Sequence, residues 1–223
     1  MDSLPPWRPL LRAALQREGR SSSSRWLQLA TVASDGTPRV RTLVFRGWSA
    51  SAVLDLFTDG RSEKASELRN LPDAEICWLL PRARSQFRLR SRRCQLPAAE
   101  LLIQRQHHWQ SLTPSARALW GWPEPGIPLE LEAAFPQELG DTTPMPSHFE
   151  LLSFEVHQAE LLELGWQPHR RRRWSASRAW SEQLLNPYSA IWECSFTRNP
   201  FTEYRLTGKE ADVCELRGAI LNI

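Results

Sequence analysis

The chain has 223 residues, enough for one large β-rich domain or two small ones around a substantial core. Its formal charge of +3, from 28 basic and 25 acidic residues, suits a small anionic ligand and is too mild to argue for nucleic acid by itself. Four cysteines without a CxxC pair or metal-like spacing fit a reduced, cytoplasmic setting. The opening MDSLPPWRPLL is not a signal peptide, and no apolar run approaches the ~20 residues of a membrane span.

Leu11, Ala14, Leu15 and Glu18 follow helical spacing and predict an amphipathic helix over 6–18, with Gly19 as its stop. A polar connector, Ser21 to Ser24, follows. Two alternating apolar runs then flank Asp35-Gly36, the strongest short-range hairpin signal a sequence offers. On the second strand, period two places Arg41, Leu43 and Phe45 on one face and Thr42, Val44 and Arg46 on the other. An arginine on each face of an apolar strand is costly unless each meets an anion or a carboxylate. A third strand over 53–58 runs into a helix over 62–70. Its first turn offers free N–H groups, the positive end of the helix dipole, the Ser62 hydroxyl and Lys64. Hairpin and helix start are expected to cradle a phosphorylated cofactor.

Residues 74–80 read as a buried strand. In the next strand, 85–96, Gln86, Arg88, Arg90 and Arg92 share one face. Such a face reads as a solvated or subunit-contact surface, a nucleic-acid patch or the lining of an anionic-ligand site. Helices are predicted over 97–109 and 113–120, the second with Thr113 as N-cap and Pro114 at its first position. The proline-rich stretch 122–146 reads as a functional loop or subunit-wrapping excursion, with one helical turn over 129–135. Strands follow over 149–157 and 159–166, then the run Arg170 to Arg173 leading into a closing strand that 180–185 completes. Two arginines of that run point outward in any strand. Most of the eleven tryptophans read as core or interface anchors. His107 and His108 lack a third metal ligand at a sensible spacing, so no metal site is expected. The elements favour an α+β antiparallel barrel.

The segments LATVASDGTPRVRTLVFR, LFTDGRSEK, RSQFRLRS, PSHF and HRRRRW, in that order, resemble the pyridoxamine 5'-phosphate oxidase-like flavoproteins with an FMN-binding split β-barrel. The likeness spans residues 7–187. It implies a split-barrel domain over 1–188, a C-terminal extension over 189–223 and a homodimer with FMN between the subunits, acting without membrane or nucleic acid. Arg41, Ser62 and Lys64 would grip the FMN phosphate. Thr42, Leu43 and Val44 would flank the ring, Phe57 and Thr58 would complete its bed, and Gln86 would bond its polar edge. Arg173, from the partner subunit, would stabilise negative charge on the reduced ring as the catalytic cation. Arg46, His169 and Arg171 would face the substrate. The implied activity is oxidation of an amine such as pyridoxamine 5'-phosphate, with hydride passed to FMN and dioxygen as final acceptor. The alternatives are a flavin carrier or sensor without oxidase activity, and a nucleic-acid binder.

This sequence departs from the resemblance at several positions. Glu63 stands where many members carry a second basic residue. The Tyr, Arg and Ser that hold the substrate phosphate in vitamin-processing members align with Gln104, His108 and Leu112. The late Arg-x-His pair is reversed as His169 and Arg171, and a tryptophan one strand earlier is Glu163.

Overall fold

A computed structural model describes residues 3–130 and 132–187; the expected extension over 189–223 lies outside the described residues. The hairpin forms where Asp35-Gly36 signals it, between β1 (Trp26–Val32) and β2 (Pro38–Ala50). Asp35 Oδ1 accepts the Thr37 N–H at 2.9 Å, and Gly36 takes φ +79°, a left-handed value that suits glycine. β3 (Val53–Asp59), β4 (Asp73–Leu80), β5 (Ser85–Arg93) and β6 (Phe149–Glu163) complete an antiparallel sheet in the order β3-β2-β1-β4-β5-β6. β6 pairs back onto β3, so these six strands close into a barrel without free edges. β7 (Arg170–Ser175) and β8 (Gln183–Leu185) extend the sheet from the far half of β6.

Alternation decides what fills the barrel. Leu27 and Leu29 of β1, Leu54 and Leu56 of β3, Trp78 of β4 and Phe87 of β5 all point inward and are fully buried. Each such side chain contributes about 1.5–3 kcal/mol relative to exposure. Helix α1 (Trp7–Glu18) adds Trp7, Leu11 and Ala14 to the same core and ends at Gly19, as expected from its spacing.

A second cluster sits against the outer face of β3 and β6. Phe57, Phe149 and Leu151 pack there with Trp109 of α3 (Ala98–Ser111) and with Trp120, which follows α4 (Pro114–Arg117). Arg117, only 3 % exposed, ties these pieces together by donating to the carbonyls of Trp109, Gln110 and Gly140 and to Asp141. β3 is therefore covered on both faces. Its outward Asp55 is buried and accepts hydrogen bonds from Ser49 and Ser153 at 3.0 and 2.6 Å.

Four expectations need correction. The signals over 149–157 and 159–166 are one strand, β6. A bulge at His157 moves the inward positions from Leu152, Phe154 and Val156 to Ala159 and Leu161. The closing strand over 180–185 shortens to β8, because Ala179 and Trp180 adopt left-handed φ of +47° and +60°. The helix over 113–120 divides into α4 and a tighter 3₁₀ turn, Ala118–Gly121. The turn over 129–135 shows no helix among its described residues, only an Ala133 N–H to Glu130 O bond of 3.0 Å.

Candidate functional site

A cavity of about 570 Å³ lies between the hairpin and the proline-rich segment. Its floor is the outward row of β2 (Thr42, Val44 and Arg46, with the Leu43 backbone between them) and the C-terminal part of β3, Phe57 to Asp59. Lys64, in the first turn of helix α2 (Glu63–Asn70), closes one end. Its roof is a strap running from Trp122 to Phe135.

The strap is held by specific bonds rather than by regular structure. The Trp120 indole N–H reaches Thr58 O at 3.4 Å, and the Trp122 indole N–H reaches Pro136 O at 2.9 Å. Arg61 donates to Trp122 O at 3.1 Å while its guanidinium is fixed by Asp59 at 2.6 Å. Burial alone would raise the Asp59 carboxyl; the hydrogen bonds and charge of Arg61 outweigh it and hold the group below its usual range. At Gly121 the chain passes so close to Pro136 and Leu139 that a Cβ would lie 2.9 Å from the proline ring. A side chain there would push the strap off its seat.

Two cations line this cavity without an ion-pair partner among the described residues. Lys64 has no ion pair or hydrogen-bond partner among the described residues, and burial, then the nearby charge of Arg41, lowers its pKa. Arg46 also has none: its guanidinium lies 5.0 Å over the Phe57 ring, and its Nε is buried without a partner. Burial and then Arg25 lower its pKa. A half-buried cation in this state is stabilised by an anionic ligand. Lys64 therefore fits the phosphate of a phosphorylated cofactor, beside first-turn N–H groups that have no helical partner.

Of the expected site residues, the structure brings Thr42, Leu43, Val44, Arg46, Phe57, Thr58 and Lys64 together around one hollow. Arg41 is not in that lining. Alternation turns it inward beside Leu29, where it bonds Thr31 and pairs with the buried Glu67 of α2 at 2.8 Å. The expectation that Arg41 and Lys64 share one phosphate thus meets a carboxylate already seated on Arg41. Ser62 is buried and donates its hydroxyl to Asp59 O at 2.6 Å.

Gln86, Arg171 and Arg173 lie on the outer face of β5 and β7, away from this lining. Gln86 Nε2 bonds Cys77 Sγ at 3.3 Å. Arg171 and Arg173 converge with Arg88 on Glu160, which is 5 % exposed. Arg88, Glu160 and Arg173 are cross-strand neighbours in register, so strand pairing itself assembles the group. Burial alone would raise the Glu160 carboxyl; hydrogen bonds from Arg171, Arg173 and Arg88 bring it down to about 2. Arg90 and Arg92 pair with Glu75 and Asp73. The His169 ring donates from Nδ1 to Trp166 O at 3.0 Å. The aligned residues Gln104, His108 and Leu112 do not line the cavity either: Gln104 bonds Glu100, His108 lies tilted against Phe57 with ring centroids 5.1 Å apart, and Leu112 packs in the outer cluster. Among the described residues no three His, Cys, Asp or Glu side chains are grouped to hold a metal, and no helix is long and apolar enough to cross a membrane.

Sequence reasoning missed Asp59 and the strap's side chains, and it gave Glu160 no role. The strap's proline density did mark it as functional, but nothing local tells which of its residues face the hairpin. Glu160 stands out only once β5, β6 and β7 are aligned.

Comparison with known proteins adds the following. Residues 4–95 match the family model described as pyridoxamine 5'-phosphate oxidase, FMN-binding domain. The chain is 30 % identical over 195 residues to pyridoxine/pyridoxamine 5'-phosphate oxidase 2 of Arabidopsis thaliana, a match covering 82 % of this chain and 97 % of that protein. A pyridoxamine 5'-phosphate oxidase-related, FMN-binding protein of Nostoc punctiforme superimposes with a TM-score of 0.76 at 37 % identity, over 83 % of this chain and 100 % of that one. PhzG of Burkholderia lata, solved with tetrahydrophenazine-1-carboxylic acid, gives a TM-score of 0.65 at 21 % identity over 82 % and 94 % of the two chains, a likeness of fold.

Proposed function

This chain belongs to the pyridoxamine 5'-phosphate oxidase family of FMN-binding split barrels and its cofactor is FMN; on that premise we propose that it is an FMN-dependent oxidoreductase that oxidises an amine at the cavity under the strap. The observation that carries this reading is Lys64, a half-buried ammonium without an ion-pair partner among the described residues, lining a hollow floored by a β-hairpin. Lys64 and the start of α2 hold the FMN phosphate, while Thr42, Leu43, Val44, Phe57 and Thr58 form the bed of the ring. When bound, FMN would supply the redox chemistry of a net reaction in which amine, dioxygen and water become aldehyde, ammonia and hydrogen peroxide. The strap covers this space, and Arg46 faces the substrate beside Phe57.

The same reading includes a homodimer in a cytoplasmic setting. Trp26, Val40 and Leu79 stand 50 %, 66 % and 46 % exposed on the outward faces of β1, β2 and β4, an apolar surface that a second copy would cover. In such a pair the partner's outer β5–β7 face supplies Gln86 and the catalytic cation Arg173 to the ring, with His169 and Arg171 beside the substrate.

The purified protein is expected to be yellow and to release peroxide with a panel of amines that includes pyridoxamine 5'-phosphate. A colourless protein that ignores added FMN overturns the reading. A yellow protein that yields no peroxide with any amine supports instead a flavin carrier or sensor. Sedimentation at twice the chain mass tests the dimer.

A further inference from the structure

Segment 146–149 and loop 59–62 meet where the strap begins. Arg105 of α3 donates to the carbonyls of Pro146, Ser147 and Phe149, so the first of these stretches is a fixed post. His148 reaches out from it in two directions. Its carbonyl accepts the Gly60 N–H at 2.7 Å, and its ring Nε2 lies 2.9 Å from Trp120 O. A carbonyl can only accept, so Nε2 carries the proton in this contact. The approach at Gly60 is close: a Cβ there would lie 3.4 Å from His148 O and 2.9 Å from Glu150 Oε2.

Arg61 makes the second crossing. Its backbone N–H and its guanidinium both bond Asp59, at 2.8 and 2.6 Å, which fixes the side chain that donates to Trp122 O at 3.1 Å. The hydrogen bond and charge of Asp59, joined by the charge of Glu124 in the strap, raise the Arg61 pKa against the effect of burial. The Trp120 indole N–H adds a longer bond, 3.4 Å, to Thr58 O at the start of the same loop. The foot of the strap is thus tied to loop 59–62 through His148 at Trp120 and through Arg61 at Trp122. That loop is a turn, and it opens directly into α2, whose first N–H groups and Lys64 receive the cofactor phosphate in the reading above. A phosphate seated there narrows the freedom of the loop, and the two ties pass that restriction to the strap.

We propose that Arg61 and His148 are positioning residues that transmit occupation of the phosphate site to the strap, so that the phosphate of the cofactor, and not its ring alone, seats residues 120–124 over the cavity. The proposal rests on the FMN reading above and links the two ends of its site. Neither residue lines the cavity; both act through backbone carbonyls at the strap's foot.

The test is amide hydrogen exchange of the full chain when free, when saturated with FMN and when saturated with riboflavin, which has the same ring without the phosphate. FMN is expected to slow exchange over 120–124 by about tenfold more than riboflavin does. In Arg61→Ala and in His148→Ala, FMN still slows exchange over 62–65, while at 120–124 the difference between the two flavins falls to within about twofold. His148→Gln, whose amide N–H can take the place of Nε2–H, restores the difference. By reciprocity, His148→Ala also narrows the ratio of FMN to riboflavin affinity by about the factor lost in exchange. The proposal is overturned if the two flavins protect 120–124 alike in the unaltered chain, a comparison that needs no variant to fold. It is overturned too if either alanine variant keeps the phosphate-dependent protection, or if His148→Gln behaves as His148→Ala does. Failure of the FMN reading shows separately, as a chain that takes up neither flavin before exchange begins.

Discussion

Two basic regions of this molecule use the same residue types to opposite ends. On the outer face of β5–β7, Arg88, Arg171 and Arg173 close around Glu160, and each guanidinium has a carboxylate oxygen within hydrogen-bonding distance. In the cavity, Lys64 and Arg46 have no carboxylate partner among the described residues. The first group is satisfied by the fold, so it contributes to stability and places its cations. The second is left unsatisfied by the fold, so it detracts from stability until a ligand arrives. Arginine density therefore does not distinguish them; the strand register that delivers or withholds an acid does.

The largest effect should come from breaking the satisfied side. Glu160→Ala leaves three guanidiniums facing one another, two of them with less than a third of the side chain exposed. Removing one partner of a buried ion pair costs 3–5 kcal/mol; partial exposure of these arginines reduces the expectation to about 2–3 kcal/mol, measured by urea unfolding near neutral pH. The pH profile checks the cause. Glu160 sits at about 2 in the folded chain against an ordinary value of 4.5. A depressed carboxylate contributes stability that is complete above its unfolded value and is lost as pH falls through the folded one. Wild-type stability should therefore decline between pH 4.5 and about 2 more steeply than that of the variant.

The cavity should answer with the reverse sign. Lys64→Met removes a half-buried ammonium for which burial and the charge of Arg41 outweigh the opposing charges of Asp59, Glu67 and Glu150, so the FMN-free protein should unfold at the same or a higher urea concentration. FMN affinity should fall by about tenfold to a hundredfold, roughly 1.4–3 kcal/mol for one charge-assisted phosphate contact, read from quenching of flavin fluorescence. A variant that loses stability and keeps its FMN affinity would erase the contrast between the two regions.

Glu67→Gln sharpens the comparison at its boundary, because Arg41 stands between the two regions in character. It is paired like the outer arginines, yet its charge lowers the pKa of Lys64. Neutralising Glu67 should cost about 1 kcal/mol of stability and strengthen FMN binding about threefold, as Arg41 is released toward the phosphate. Weaker FMN binding in this variant would instead make Glu67 the residue that orients Arg41 for the cofactor.

These contrasts mark what the sequence could and could not disclose. The hairpin, α1, the barrel strands and the floor from Thr42 to Lys64 were legible because each rests on short-range patterning, whether period two, an Asp-Gly turn or a helix start. Arg41 was assigned to the cavity because the motif that names it is linear, although alternation already placed it on the face opposite Thr42 and Val44. The acid that would meet it, Glu67, lies in α2 and becomes its partner only when helix and hairpin pack. The doubled strand in β6 was hidden by a single bulge at His157, which resets the alternation without a glycine or proline to announce it. The strap's contribution was hidden most deeply, since 122–135 has no periodicity and its inward side chains are chosen by tertiary bonds such as Arg61 to Trp122 O.

The smallest effect to be sought is in the pH dependence of cofactor binding, and its sign follows from Lys64 alone. In the FMN-free chain, burial and then Arg41 lower this lysine from its ordinary 10.5. A phosphate beside it favours the charged form, so the pKa in the complex is higher than in the free protein. Binding is then accompanied by proton uptake at any pH between the two values. Above the second ionisation of the phosphate itself, at about pH 6, FMN affinity should be constant up to the depressed value and decline as pH rises through it, by no more than one decade per pH unit because one lysine proton is coupled. Lys64→Met should flatten this decline, whereas Glu160→Ala should leave it in place, since Glu160 finishes titrating in acid. A decline that persists in Lys64→Met would assign the coupled proton to another group and leave the lysine's part in phosphate binding unsupported.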